Sequence, residues 1–217
     1  MPTKIAIHSP YVGIPMPAGS DCLTAGVTEA RWEARRPDGV LAYKTFFRFG
    51  HAETLHIFNG APLAIWTWQP VGALGSGDAT LQKASNAAAT PTPGHASATQ
   101  PRLTSVSLAQ NTPKTDVRMD SFVDLVTYPP SSGTIGLWVH GIRYAITPND
   151  YIPWGGAAGS FQYRPVGGTT WTVLKSFTTD SQGQFRYNYS WPGKRQYRAV
   201  IYDQQYIFGF ISPTETN

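Results

Sequence analysis

A single cysteine, Cys22, stands in 217 residues, so no intrachain disulfide can form and none can compensate for a weak core. Charge is also scarce. Asp, Glu, Lys and Arg make up 14% of the chain, against roughly 25% in an average soluble domain. The excess of +4 is spread along the sequence. Its densest group, Lys194-Arg195 with Arg198, falls short of the basic face that nucleic-acid binding requires, so no nucleic-acid partner is expected. No apolar run approaches the ~20 residues of a membrane-spanning helix, and no membrane insertion is expected. The start, "MPTKIAIHSPYVGIPMPAGSD", lacks the apolar segment of a signal peptide. Long stretches of Glu, Lys, Leu and Ala, which helices favour, are missing as well.

What the chain does have is aromatic residues at 13%, with 21 glycines and 18 prolines. Many aromatics and turn residues with few charges point to an all-β fold of sandwiches or barrels. One compositional break divides it. "ASNAAATPTPGHASATQP", Ala84 to Pro101, is small, polar and without hydrophobic period, as a linker is. The expected organisation is an N-terminal sandwich over 1–83 acting as a docking domain, a Pro/Ala/Thr-rich linker over 84–101, and a second sandwich over 102–217.

In the second half, strands are expected at Ser105–Leu108, Phe122–Val126 and Thr134–Thr147, then at Ser160–Val166 and Thr170–Asp180 around Gly167-Gly168. Three more follow in "GQFRYNYSW", "QYRAVIYD" and "QYIFGFIS". Phe185, Tyr187 and Tyr189 alternate with Arg186, Asn188 and Ser190, the pattern of a strand with one buried face. Seven or eight short strands in this span is the count of an immunoglobulin-like sandwich. In the first half, Val27 to Phe49 reads as two strands around Pro37-Asp38-Gly39. A second hairpin is expected around Asn59-Gly60, and Gly75–Lys83 reads as a closing strand. The start, with Pro10, Pro15 and Pro17, is expected to wrap the outside or reach a neighbour.

Residues able to carry chemistry are thinly placed. The histidines at 8, 51, 56, 95 and 140 form no metal-binding or nucleophile-activating pattern. His51 and Glu53 would share a strand face, which is at most half a metal site. Asp116, Asp120 and Asp124 recur every fourth residue without the glycine of a calcium loop, and are read as solvated edge residues. No acidic pair sits in a glycosidase motif. The glycines of "GALGSGDA" lack the Lys-Ser/Thr of a phosphate loop. Asn188-Tyr189-Ser190 matches a glycosylation sequon by pattern. No cofactor, metal or catalytic residue is expected. The one candidate binding pair is Tyr151 and Trp154, in the Gly-rich "NDYIPWGGAAG", where aromatics left exposed at the end of a sandwich can stack on sugar rings.

From Gly133 to Asp203 the sequence resembles the immunoglobulin-like domains of actinobacterial surface proteins and of the phages of those bacteria. The residues that carry the resemblance are Tyr163-Arg164, Thr170-Trp171-Thr172, Thr179-Asp180, Gly183, Phe185 and Tyr197-Arg198-Ala199. Upstream of Pro101 the likeness is architectural only. Gly183 would supply the sharp turn after Asp180, whose carboxylate would accept backbone N–H groups, and Trp171 and Tyr197 would fill the core. The resemblance implies a module that binds or spaces, not an enzyme. Without a leader or disulfides, the expected role is a structural protein of a phage virion, a tail or capsid accessory assembled in the host cytoplasm. Its expected partners are other virion proteins, further copies of itself on a symmetric platform, and a host-surface glycan. The alternative is a carbohydrate-binding module or adhesin of a bacterial surface protein.

Overall fold

In the computed structural model the described residues are 1–16, 27–48, 53–75, 80–81, 112–131, 133–190 and 193–217. Among them every regular element is a strand, as a chain rich in aromatic and β-branched residues and poor in helix formers should give. The first seven are β1 (Lys4–Ile7), β2 (Tyr11–Met16), β3 (Val27–Arg35), β4 (Leu41–Arg48), β5 (Glu53–Phe58), β6 (Ala64–Gly75) and β7 (Thr80–Leu81). Then come β8 (Lys114–Met119), β9 (Ser121–Ser131), β10 (Thr134–Ala145), β11 (Asp150–Pro153) and β12 (Ala158–Pro165). The last are β13 (Thr172–Thr178), β14 (Gln184–Ser190), β15 (Arg195–Ile201), β16 (Phe210–Ile211) and β17 (Glu215–Thr216).

The chain divides into two compact units. Unit 1 gathers Met1–Thr3, Gly13–His56 and Ile65–Asp116; unit 2 gathers Lys4–Val12, Ile57–Ala64 and Val117–Asn217. The 84–101 stretch and Ser105–Leu108 lie outside the described residues.

Unit 1 is built on β3, which pairs antiparallel with β4 on one side and β6 on the other. The β3–β4 turn forms where Pro37-Asp38-Gly39 placed it, closed by Gly39 N–H to Arg36 O at 2.9 Å and Val40 N–H to the Asp38 carboxylate at 3.1 Å. Trp66 and Trp68, two residues apart and so on one face of β6, are fully buried with ring centroids 6.0 Å apart. The Trp68 indole donates to Thr115 Oγ1 at 2.9 Å, which removes the cost of burying its N–H.

The hairpin expected at Asn59-Gly60 does not form. A turn is present, with Ala61 N–H on Phe58 O at 2.9 Å, but β5 pairs with β2 and β6 pairs with β3. A two-residue type I′ hairpin needs positive φ at both central residues, and neither Asn59 nor Gly60 has it. Instead Asn59 N–H donates to Pro10 O at 2.9 Å. The N-terminal stretch is no outer wrap either: Ile5 is 2% exposed and Ile7 is fully buried, and Ile7 O accepts the Asp120 N–H at 2.9 Å.

Unit 2 holds two sheets around one core. In the first, β10 is central, with β9 along one side and β14 then β11 along the other. In the second the order is β13-β12-β15-β16, with β17 also on β15. Val123, Leu125, Ile135, Leu137 and Val139 from the first sheet meet Phe161, Tyr197, Ala199 and Ile201 from the second. The alternation in β14 behaves as its sequence dictates, with Phe185, Tyr187 and Tyr189 packed against this core and Arg186, Asn188 and Ser190 exposed.

The Asp180–Gln184 turn is held by local contacts. The Asp180 carboxylate accepts the N–H groups of Gln182 and Gln184, both at 2.9 Å. Gly183 has φ of 73°, and its O accepts the Gly141 N–H at 2.8 Å. A Cβ there would lie 2.2 Å from Gly141 O, so both the dihedral and the space demand glycine.

Three further expectations need correction, and one strand went unread. Asp150–Pro153, expected as Gly-rich sequence exposed at the end of the sandwich, is a strand whose backbone completes β10 beyond the end of β14. Lys114–Met119 is a strand whose alternating Thr115, Val117 and Met119 are buried; its polar residues hid that period. Of "QYIFGFIS", only Phe210–Ile211 is strand. Trp171 does not fill the core; it lies half-buried against Arg164 and Arg198.

Candidate functional site

Trp154 and Tyr151 are not a matched pair. Trp154 is 2% exposed inside the unit 2 core, with its N–H on Gly141 O and its O accepting the Thr179 hydroxyl. Burial on that scale leaves no ring face for a sugar. Tyr151 is half-buried on β11, where its hydroxyl donates to Asp120 Oδ2 at 2.7 Å. Burial, then this bond to a carboxylate, pushes the Tyr151 hydroxyl well above its ordinary pKa. The phenol therefore stays protonated and serves as a fixed donor. Asn59, Tyr144 and Asn149 form a hydrogen-bonded group near the end of β10.

The histidines and carboxylates do not converge. His8 lies on the Ala6 carbonyl, His56 and His140 sit on separate strands, and His51, His95 and Cys22 lie outside the described residues. Asp116 belongs to β8, Asp120 holds Tyr151, and Asp124 is exposed on β9. Among the described residues no three metal-ligating side chains come together.

In unit 1, β3 and β4 border an open depression of about 460 Å³, lined in part by Trp32, Phe46 and Glu33. Lys44 lies 3.0 Å from Glu33 Oε1 and Arg35 lies 2.8 Å from Oε2. The hydrogen bond from Lys44, foremost, holds the Glu33 carboxyl below its ordinary pKa. A carboxylate committed to two cations is a poor general base.

The arrangement best suited to a ligand is one the sequence reading missed: the outer face of the β9–β10–β14 sheet. While Ile135, Leu137 and Val139 point inward, Gly136, Trp138 and His140 point out. Their cross-strand partners are Tyr128 and Asn188 at Gly136, Val126 and Arg186 at Trp138, and Asp124 and Gln184 at His140. The Trp138 and His140 rings are parallel within 4°, with centroids 6.0 Å apart. Gln184 Oε1 accepts the Trp138 indole N–H at 3.2 Å, and the Arg186 guanidinium lies 5.8 Å from the ring centroid. At Gly136 a Cβ would meet Asn188 Oδ1 at 3.0 Å and Tyr128 at 3.3 Å, so these two side chains close over the bare backbone and would have to shift by a few tenths of an ångström to admit a Cβ. Tyr128 itself is 46% exposed. Flat rings bordered by amide, guanidinium and carboxylate groups can stack on a sugar ring and bind its hydroxyls. The clue in the sequence was "GLWVHG" with "QFRYNYS": period two on adjacent strands puts their polar and aromatic members on one face.

The fold and this face define a class no narrower than an all-β protein with a polar, aromatic sheet surface. No helix among the described residues is long and apolar enough to cross a membrane. No protein-family model matches the sequence, and no curated protein matches it. Among solved structures the chain is similar to the native conformation of E. coli alpha-2-macroglobulin, with a TM-score of 0.34 and 10% identity. The match covers 88% of this chain and 12% of that one. The functional reading therefore rests on the residues of this chain.

Proposed function

We propose that the chain is a non-enzymatic structural protein of a phage virion, a tail or capsid accessory or decoration protein, built from immunoglobulin-like β-sandwiches. What supports this reading is where the residues that carry the resemblance to phage and actinobacterial immunoglobulin-like domains fall. Tyr197 is fully buried, Phe185 packs on the core, and Asp180 with Gly183 forms the turn between β13 and β14. These residues build a scaffold and leave its faces to partners. Mass spectrometry of purified virions from the source lysate tests it. Peptides of this chain at a stoichiometry matching a symmetric platform support the role, and their absence from intact particles overturns it.

The Trp138 face favours a second reading, a carbohydrate-binding module or adhesin. In a glycan screen, this reading expects binding that Trp138→Ala abolishes and Trp171→Phe leaves intact. Binding indifferent to Trp138→Ala would remove it.

A further inference from the structure

The other sheet of unit 2 presents a different surface. On the outer face of β12 and β15, Gln162 stands opposite Arg198 and Arg164 stands opposite Gln196. Each arginine Nε–H donates to the glutamine across from it: Arg198 to Gln162 Oε1 and Arg164 to Gln196 Oε1, both at 2.8 Å. Both guanidiniums also lie against one indole, Arg164 at 4.5 Å and Arg198 at 4.3 Å from the Trp171 ring centroid. Two like charges are thus held against one indole, each with its Nε–H tied to a glutamine.

Among the described residues no carboxylate pairs with either arginine, and no group accepts from their terminal Nη atoms. Contacts with an aromatic ring offset part of the charge, about 0.5–2 kcal/mol each, but they leave the forked Nη donors without an acceptor among the described residues. Burial, with the charge of Arg164 second, already lowers the pKa of Arg198. An anion would relieve that repulsion and satisfy the donors.

We propose that Arg164 and Arg198, positioned by Gln196, Gln162 and Trp171, form a binding site for a single phosphate group, free or as a phosphate ester. A carboxylate has two oxygens and satisfies one guanidinium fork. A phosphoryl group spreads three acceptor oxygens tetrahedrally and serves two forks at once. The surroundings set the limit of one phosphate. The remaining outward residues of this face are Gln162, Gln196 and neutral side chains such as Val173 and Val200. A nucleic-acid track needs a row of cations instead.

The test uses the full chain, with the Trp171 indole N–H signal followed by nuclear magnetic resonance at low salt. The probes are inorganic phosphate, glycerol 3-phosphate and a single-stranded oligonucleotide. Phosphate and glycerol 3-phosphate should shift the Trp171 signal saturably and leave the Trp138 signal in place. Arg164→Gln and Arg198→Gln should each weaken binding about tenfold or more, whereas Arg186→Gln, on the other sheet, should not. Arg164→Lys and Arg198→Lys keep the charge but lose the fork, and should also weaken it. Equal affinity for both small probes assigns the site to the phosphate group alone; tighter binding of glycerol 3-phosphate assigns it to the ester. No shift in the wild-type protein, or affinity unchanged in the glutamine variants, would overturn the proposal. So would tighter binding of the oligonucleotide with a steep dependence on salt.

Discussion

Replacing Gly183 by Ala separates two costs that a glycine in a turn usually combines. Gly167 has φ of 80° and nothing within 4 Å of an added Cβ, so Gly167→Ala isolates the dihedral. The left-handed region costs an L-residue about 1–2 kcal/mol, and the stiffer unfolded chain returns roughly 0.4–1 kcal/mol. A net loss of about 1 kcal/mol is expected. Gly183 has nearly the same φ, 73°, but a Cβ there meets Gly141 O at 2.2 Å and Trp154 N at 3.0 Å. Both contacts are backbone and cannot rotate away. Forcing them apart adds about 1–3 kcal/mol of overpacking, and it weakens the Gly141 N–H bond to Gly183 O, worth about 1 kcal/mol. Gly183→Ala should therefore cost about 3–5 kcal/mol. Urea unfolding followed by circular dichroism measures both variants, and the midpoint shift converts to free energy if the slope is unchanged. A loss for Gly183→Ala no larger than that for Gly167→Ala would refute the close approach as the cause.

Three further outcomes are expected. Trp154→Ala should destabilise the protein by about 3–5 kcal/mol, as thermal unfolding will show; a stability like the wild type's would return Trp154 to the surface. Asp180→Ala removes the acceptor for two backbone N–H groups and should cost about 1–2 kcal/mol, most of it kept by Asp180→Asn, as urea midpoints will show. Tyr151 and Tyr189 both have hydroxyl pKa values raised in the folded state, chiefly by burial and next by hydrogen bonds to Asp120 and Tyr197. The unfolded chain therefore releases these protons first. Their contribution to stability is complete below the ordinary tyrosine value of 10.0 and declines as pH rises beyond it. Denaturation measured across that range should show the fall, and Tyr151→Phe with Tyr189→Phe should flatten it.

The parts of this structure that were legible in the sequence are those where a physical requirement is local. Alternation in Gln184–Ser190 needs only a core on one side. Pro37-Asp38-Gly39 makes its turn because the proline, carboxylate and glycine each act within the turn itself. Asp180 and Gly183 do the same, three residues apart. The all-β class follows from a composition that helices cannot use.

Where the outcome depended on a distant chain segment, the sequence alone could not decide. Asn59-Gly60 carries a hairpin signature, yet Pro10 O takes the Asn59 N–H, and the flanking strands part to different neighbours. Ile5 and Ile7 lie in a Pro-punctuated start, but both are buried, and the Ile7 carbonyl is bound by the N–H of Asp120, more than a hundred positions away. Trp154 and Trp171 are both loop-adjacent aromatics in glycine-rich sequence. One is buried because Thr179 and Gly141 close over its backbone; the other is drawn outward by Arg164 and Arg198. The two candidate surfaces have the same origin. Residue spacing determined that Trp138 and His140 share a face, as do Arg164 and Gln162. Only strand pairing decided that Arg186, Gln184 and Asn188 border the first and that Arg198 completes the second, because register between strands is set by the packed core and not by either strand alone.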